Sequence, residues 1–282
     1  MRKISSLYRK RTEMIDGKKI LDIKKQALKM CINAGVGHVT SAFSCAEVVC
    51  VLFYEVMNIN PKMPDWADRD RFVMSKNHGS VITYPILQDL GFISKEEVFL
   101  KNGSHLGIHT KLGLNGVDFC GGSLGIGLGF ACGVAYSAKL SQKDYLTFCV
   151  VGDGECYEGS IWESVMFAGA RKLNNLITII DRNQLCITDF TEKMLPLDSL
   201  KNKIESFGWD VKEINGHNLD EIRSVFSEIR NKKEKPLCII ANTVKGNGIG
   251  FMENAPLWHG RAPSGADAEK AESALLGVNN GN

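Results

Sequence analysis

The chain has 282 residues, 44% of them hydrophobic and 23% charged, with a formal net charge of +2. That length can bury a large core, and a charge so near zero leaves no electrostatic footprint for nucleic acid or an anionic membrane. The basic start, MRKISSLYRKRTEMIDGKK, leads into no apolar segment and no run is long enough to cross a bilayer, so neither a signal peptide nor a membrane span is expected.

From Gly17 to Ala34, apolar residues at Ile20, Ile23, Ala27, Met30 and Ala34 keep helical spacing with one buried face. A second helix is expected through SCAEVVCVLFYEVM, which makes residues 1–60 a helical N-terminal segment. Pro61–Trp66 reads as a loop, RFVMS as a short strand and GSVITYPILQDLG as a helix. From Leu146 onward the pattern is regular: the apolar run LTFCVV ends at Gly152, a helix covers Gly159 to Arg171, and LITII ends at Asp181. WDVKEI, LDEIRSVFSEIR and LCIIAN then continue the alternation. Continuous apolar runs alternating with helices predict an α/β fold, a parallel sheet flanked by helices, and the whole of 1–282 reads as one domain. The end, 277–282 (GVNNGN), is expected to fray. The nine cysteines are scattered, form no CxxC pair and sit among apolar neighbours, which fits reduced thiols in a cytoplasmic protein rather than disulfides or a zinc site.

Two turns carry chemistry. In a parallel sheet, ligands bind beyond the carboxyl ends of the strands. Gly152-Asp153-Gly154 follows one strand and Asp181-Arg182-Asn183 the next in sequence. If those strands are neighbours, Asp153 and Asn183 can face one cation. A carboxylate, an amide oxygen and a main-chain carbonyl are hard ligands that suit Mg²⁺ or Ca²⁺. Glycine lets backbone N–H groups approach a phosphate, and the helix that follows offers its N-terminus to the negative charge. Taken alone, Gly-Asp-Gly is more often an ordinary turn, and Asn183 in the right kind of loop shifts the balance toward a metal site.

Gly-Asp-Gly followed at a distance by Asn resembles the signature of thiamine-diphosphate enzymes. GDGECYEG, WE and NLITIIDRN together resemble the diphosphate-binding half of a transketolase. The same order continues with Gly37–His38, SKNHGS around His78, GGSLGIGLG at Gly121–Gly129, INGHN around His217 and TVKGNGIGFMEN through WHGRAP. Several separated matches in one order are far more specific than a lone glycine motif.

The resemblance implies thiamine diphosphate and Mg²⁺, with Ca²⁺ as a possible substitute. Asp153 and Asn183 would ligate the metal through side chains and Leu185 through its main-chain carbonyl. Gly154 would contact the diphosphate through its backbone, with His78 and His259 nearby, and Gly122, Ser123 and Leu124 would run beside the cofactor rings. His38, His109 and His259 would line the substrate channel. Glu158 matches an interface glutamate of a hydrogen-bonded network between two cofactor sites. His105 and His217 are assigned no chemistry. Two departures stand out. The family's Gly-His-Pro-Gly is Gly-His-Val-Thr at Gly37–Thr40, and Cys120 stands where threonine is common.

The family's pyrimidine-activating glutamate belongs to a domain beyond WHGRAP. The resemblance therefore implies the N-terminal subunit of a split transketolase. Its partner would be a separate chain carrying the pyrimidine-binding and C-terminal domains, in an α2β2 assembly that moves a two-carbon ketol unit from a ketose or ketose phosphate to an aldehyde. Alternatives are a thiamine enzyme redirected to an unusual ketol or acyl transfer, a deoxyxylulose-phosphate synthase, a 2-oxo-acid dehydrogenase component, or a non-catalytic module. A dinucleotide-binding fold lacks support, since no GxGxxG follows a strand.

Overall fold

The computed structural model describes residues 14–231 and 234–277. The basic start and the tail beyond Gly277 lie outside the described residues. The helix α1 spans Gly17–Ala34. Asp16 caps it by accepting from the Lys19 N–H at 2.9 Å, and Gly35, at φ 69°, closes it by donating to the Ile32 carbonyl. Its inward face is Ile20, Ile23, Ala27, Leu28 and Cys31.

A separate helix that was not expected, α2 (Val39–Ser44), comes next. Across a break at Cys45, the second expected helix, Ser44 to Met57, is α3 (Ala46–Val51) running into a wide turn at Leu52–Val56. All of α2 and α3 is buried. Residues buried on every side carry no amphipathic period to mark the break at Cys45. Strand β1 (Arg71–Met74) leads into a tight 3-10 segment at Asn77–Ile82 and then α4 (Thr83–Leu90), where the sequence suggested one continuous helix. Helix α5 (Ile126–Leu140) precedes β2 (Thr147–Gly152), α6 (Gly159–Ala170) and β3 (Leu176–Arg182). A small hairpin, β4 (Leu185–Cys186) with β5 (Asp189–Phe190), then α7 (Thr191–Met194) and α8 (Leu200–Ser206), were not expected. They are followed by β6 (Asp210–Asn215), α9 (Leu219–Ser227), β7 (Leu237–Asn242) and α10 (Ala266–Leu275).

The five main strands pair in the order β1-β2-β3-β7-β6, every pair parallel. Strands β2 and β3 are buried along their whole length and β6, at an edge, only in part. Two apolar clusters cover the two faces. One is built around α1, α3 and α4 with Phe72, Phe148 and Ile179, the other around α5, α6 and α8 with Val151, Ile180 and Trp209.

Candidate active site

Because β1, β2, β3 and β7 run parallel, their carboxyl ends form one rim. Ser75, Lys76, Asn77 and His78 leave β1, Asp153 and Gly154 leave β2, Asn183 leaves β3, and Thr243 to Lys245 leave β7. Gly152 is in register with Asp181, so the two turns singled out in the sequence are neighbours. The main chain ties them, with Asp153 N–H donating to the Asp181 carbonyl at 3.2 Å and Thr243 N–H to that of Arg182 at 3.1 Å.

Under this rim lies a buried ion pair. Lys76 and Asp181, each 1% exposed, are in direct contact. Lys76 also donates to the Ser41 carbonyl at 2.9 Å. The Asp181 carboxylate accepts from Ser44 at 2.5 Å and from the Thr243 hydroxyl. Burial alone would push Asp181 up, but Lys76 and the two hydroxyls offset it and hold the carboxyl below its ordinary range.

Above it three imidazoles meet. Ring centroids of His38 and His78 are 5.3 Å apart, those of His38 and His259 5.3 Å, and those of His78 and His259 5.6 Å. His38 Nδ1 is buried without a hydrogen-bond partner. Lys245 Nζ lies 3.0 Å from His259 Nδ1. Burial, with Lys76 second, lowers Lys245 to about 8. Burial and neighbouring cations lower His38 and His259 to about 4 each, and His78 is also pushed down by burial and Lys76. These groups are neutral imidazoles at pH 7, crowded with two ammonium groups. The cluster fits an anion, because a diphosphate would give Lys245 the negative partner that the neutral His259 ring is not.

Beside it is the metal-type turn. Asp153, 1% exposed, accepts from Gly154 N–H at 2.8 Å and Gln184 N–H at 2.5 Å. Arg182 Nη1 is 3.5 Å away. Burial and then the Asp181 charge raise the Asp153 carboxyl to about 6. The Asn183 side chain turns its Nδ2 toward Asp181 and accepts from Leu185 N–H at 3.1 Å. The donors suit a hard cation: a buried carboxylate with one cation, Arg182, 3.5 Å away, and the Asn183 amide oxygen on the adjacent turn. Gly154 fits closely here: a Cβ would lie 3.0 Å from the Cys186 side chain, which would have to give way by a few tenths of an ångström.

Gly122, Ser123 and Leu124 form the loop entering α5. Its end is held by Glu155, buried at 2% exposure, which accepts from Gly125 N–H at 2.9 Å, Gly152 N–H at 3.0 Å and Ser75 at 2.5 Å. His109 lies against Gly122, where a Cβ would be 3.3 Å from the ring. Glu158 is exposed at the start of α6, beside Gly125. His105 pairs with Glu97 away from the rim. Lys76, Lys245, Asp181 and Glu155 were missed as site residues. The two lysines stand inside quoted motifs, SKNHGS and TVKGNG, so the signal was present. A cavity of about 900 Å³ opens at the opposite rim around Asp70, Tyr145 and Arg230. Within it Arg230 pairs with Asp70 and Lys143 with Asp68.

Residues 15–282 match the family described as transketolase, thiamine diphosphate binding domain. The chain belongs to the transketolase family. It is 38% identical over 250 residues to one of the subunits of the apulose-4-phosphate transketolase of Phocaeicola vulgatus, covering 88% of this chain and 89% of that one. To the 6-deoxy-6-sulfo-D-fructose transketolase subunit SqwG of a Clostridium species it is 38% identical, covering 82% and 85%. Human transketolase is 37% identical over 87% of this chain but only 41% of its own length. The crystal structure of transketolase from Campylobacter jejuni superposes with a TM-score of 0.83 at 30% identity, over 93% of this chain and 43% of that one. The chain thus spans about two-fifths of these full-length transketolases and most of the two subunit-type relatives. As in those structures, the rim just described belongs to a thiamine-diphosphate-binding α/β domain.

Proposed function

We propose that this chain is the thiamine-diphosphate-binding subunit of a two-component transketolase. With a separate subunit carrying the pyrimidine-binding and C-terminal domains, as α2β2 in the cytoplasm, it transfers a two-carbon ketol unit from a ketose or ketose phosphate to an aldehyde. The observation that carries the proposal is the near full-length match to a relative that is itself named as one subunit of a transketolase. The whole of 1–282 serves as one diphosphate-binding domain.

In this reading Asp153, Asn183 and the Leu185 carbonyl hold Mg²⁺, or Ca²⁺ in its place. Lys245, His78, His259 and the Gly154 backbone hold the diphosphate, and Gly122 to Leu124 flank the cofactor rings. Thiamine diphosphate, when bound, supplies the nucleophilic carbon for breaking and re-forming the ketose C2–C3 bond. The chain's own part is orientation and proton handling. Lys245 donates to His259 Nδ1, so the ring keeps its proton on Nε2 and offers it to a substrate oxygen as charge develops there. His38 and His109 line the same channel. Glu158 joins the two cofactor sites through the subunit interface.

A second reading is that donor and acceptor are unusual sugars. The two subunit-type relatives are named for apulose 4-phosphate and 6-deoxy-6-sulfo-fructose, and the loop at His38 lacks the family's proline.

The test is His259→Ala in the assembled complex. Turnover should fall about 100-fold, within the usual range for a positioned acid–base group, while Mg²⁺ dependence is retained. An unchanged turnover removes His259 from the mechanism.

A further inference from the structure

We infer that Glu47 and His217 form a positioning pair that holds the Val244–Asn247 turn and so aims Lys245 at the diphosphate; this rests on the role given to Lys245 above. Glu47 lies on α3 and is 7% exposed. Its Oε2 is 2.9 Å from His217 Nδ1. The other ring nitrogen, Nε2, accepts the Val244 N–H at 2.8 Å. A nitrogen that accepts carries no proton, so the ring proton is on Nδ1 and is donated to Glu47. The order is carboxylate, imidazole, backbone amide.

A second arm starts from the same carboxylate. Lys24 Nζ, on α1, donates to Glu47 Oε1 at 2.6 Å and to Asn247 Oδ1 at 2.8 Å. The two arms grip the turn at residues 244 and 247, and Lys245 lies between them. Burying a lysine–glutamate pair with a histidine is a poor way to gain stability, because desolvation takes back most of the attraction. Burial would raise Glu47, yet the His217 hydrogen bond and Lys24 hold it below its ordinary range, so the pair is well matched.

The local sequence builds this contact. A Cβ on Gly216 would lie 2.4 Å from the Thr243 side chain, so glycine lets the β6 loop reach the β7 loop. Asn215 Oδ1 accepts the His217 N–H at 3.0 Å, and Asn218 caps α9 immediately after. Thr40 and Asn254 also hold the turn, through the Gly246 N–H and the Lys245 carbonyl. Loss of His217 therefore shifts the aim of Lys245 without releasing the whole segment.

The experiment uses the chain purified with its partner subunit and titrates thiamine diphosphate at fixed Mg²⁺. His217→Leu should raise the cofactor concentration for half-activity about tenfold, roughly the worth of one hydrogen bond in a buried site, with kcat at saturation falling much less. His217→Gln, which offers an acceptor to the Val244 N–H, should recover most of the affinity. On a Lys245→Ala background His217→Leu should add little, because both act on one contact. Full additivity, or an unchanged cofactor affinity, would overturn the inference. Amide hydrogen exchange on the cofactor-free chain separates the two ideas. Faster exchange of 243–248 in His217→Leu and Glu47→Gln is expected, and exchange unaltered in both overturns the positioning pair. A wild-type complex that binds no thiamine diphosphate overturns the function reading and, with it, the aim of Lys245.

Discussion

At the scale of single residues, the site is a balance of buried charges. Asp153 is raised to about 6 by burial and by Asp181, which makes it a carboxylate in need of a cation. Asp153→Asn should therefore abolish cofactor-dependent stabilisation. The wild-type complex should gain about 2.7 kcal/mol at a ligand concentration 100-fold above Kd, and the variant a small fraction of that, read as thermal shifts with Mg²⁺ and thiamine diphosphate. The histidines give a pH dependence of known sign. His38 and His259 sit at about 4 against an ordinary 6.5. Between those values the unfolded chain binds protons that the folded chain does not, so their contribution is complete above 6.5 and is lost as pH falls toward 4. Asp153 has the opposite sign, since the folded chain protonates it first. Urea unfolding of the cofactor-free chain should lose stability from pH 7 to 4.5 more steeply in wild type than in His38→Asn/His259→Asn. Asp153 contributes to both and cancels. Equal slopes would show that the two rings titrate normally.

At the scale of elements, glycines decide how helices meet the sheet. Gly169 on α6 faces the turn before β6, where a Cβ would fall 1.9 Å from the Phe207 carbonyl oxygen. Helix propensity favours alanine by about 1 kcal/mol, but forcing an atom into that contact costs about 1–3 kcal/mol or more. Gly169→Ala should therefore lower the urea midpoint, and a rise would mean that the helix slides without strain. Elements were legible in the sequence where burial left a period or a continuous run. The runs LTFCVV, LITII and LCIIAN became β2, β3 and β7, and the 17–34 stripe became α1. The break at Cys45 was not legible, because Thr40 to Val51 are buried on all sides. Helix α5 was hidden by GGSLGIGLG, whose glycines read as a cofactor loop, and the β4–β5 hairpin is too short to carry a pattern. The site was legible as far as motifs reached: Asp153, Asn183, His38, His78 and His259 converge. Lys245 stood inside a matched motif without a role being read from it, and the Glu47–His217 pair was not legible, since its two residues lie 170 positions apart and only the fold brings them together.

At the scale of the whole molecule, the proposed function makes the rim one half of a cofactor site, to be completed by the partner subunit. Exposed Ile126 and Phe130 lie on α5 and exposed Met166 and Phe167 on α6, and the proposed α2β2 assembly would take them out of water. Among the described residues no helix is long and apolar enough to cross a membrane. The central claim is that this domain works only with a second subunit and thiamine diphosphate. Its most direct test is native mass spectrometry of the complex this chain forms in its own cells, with Mg²⁺ and thiamine diphosphate supplied. The account predicts two copies of this chain, two of a second chain bearing the pyrimidine-binding domain, and bound cofactor. Recovery of this chain alone, taking up no thiamine diphosphate under those conditions, would contradict it.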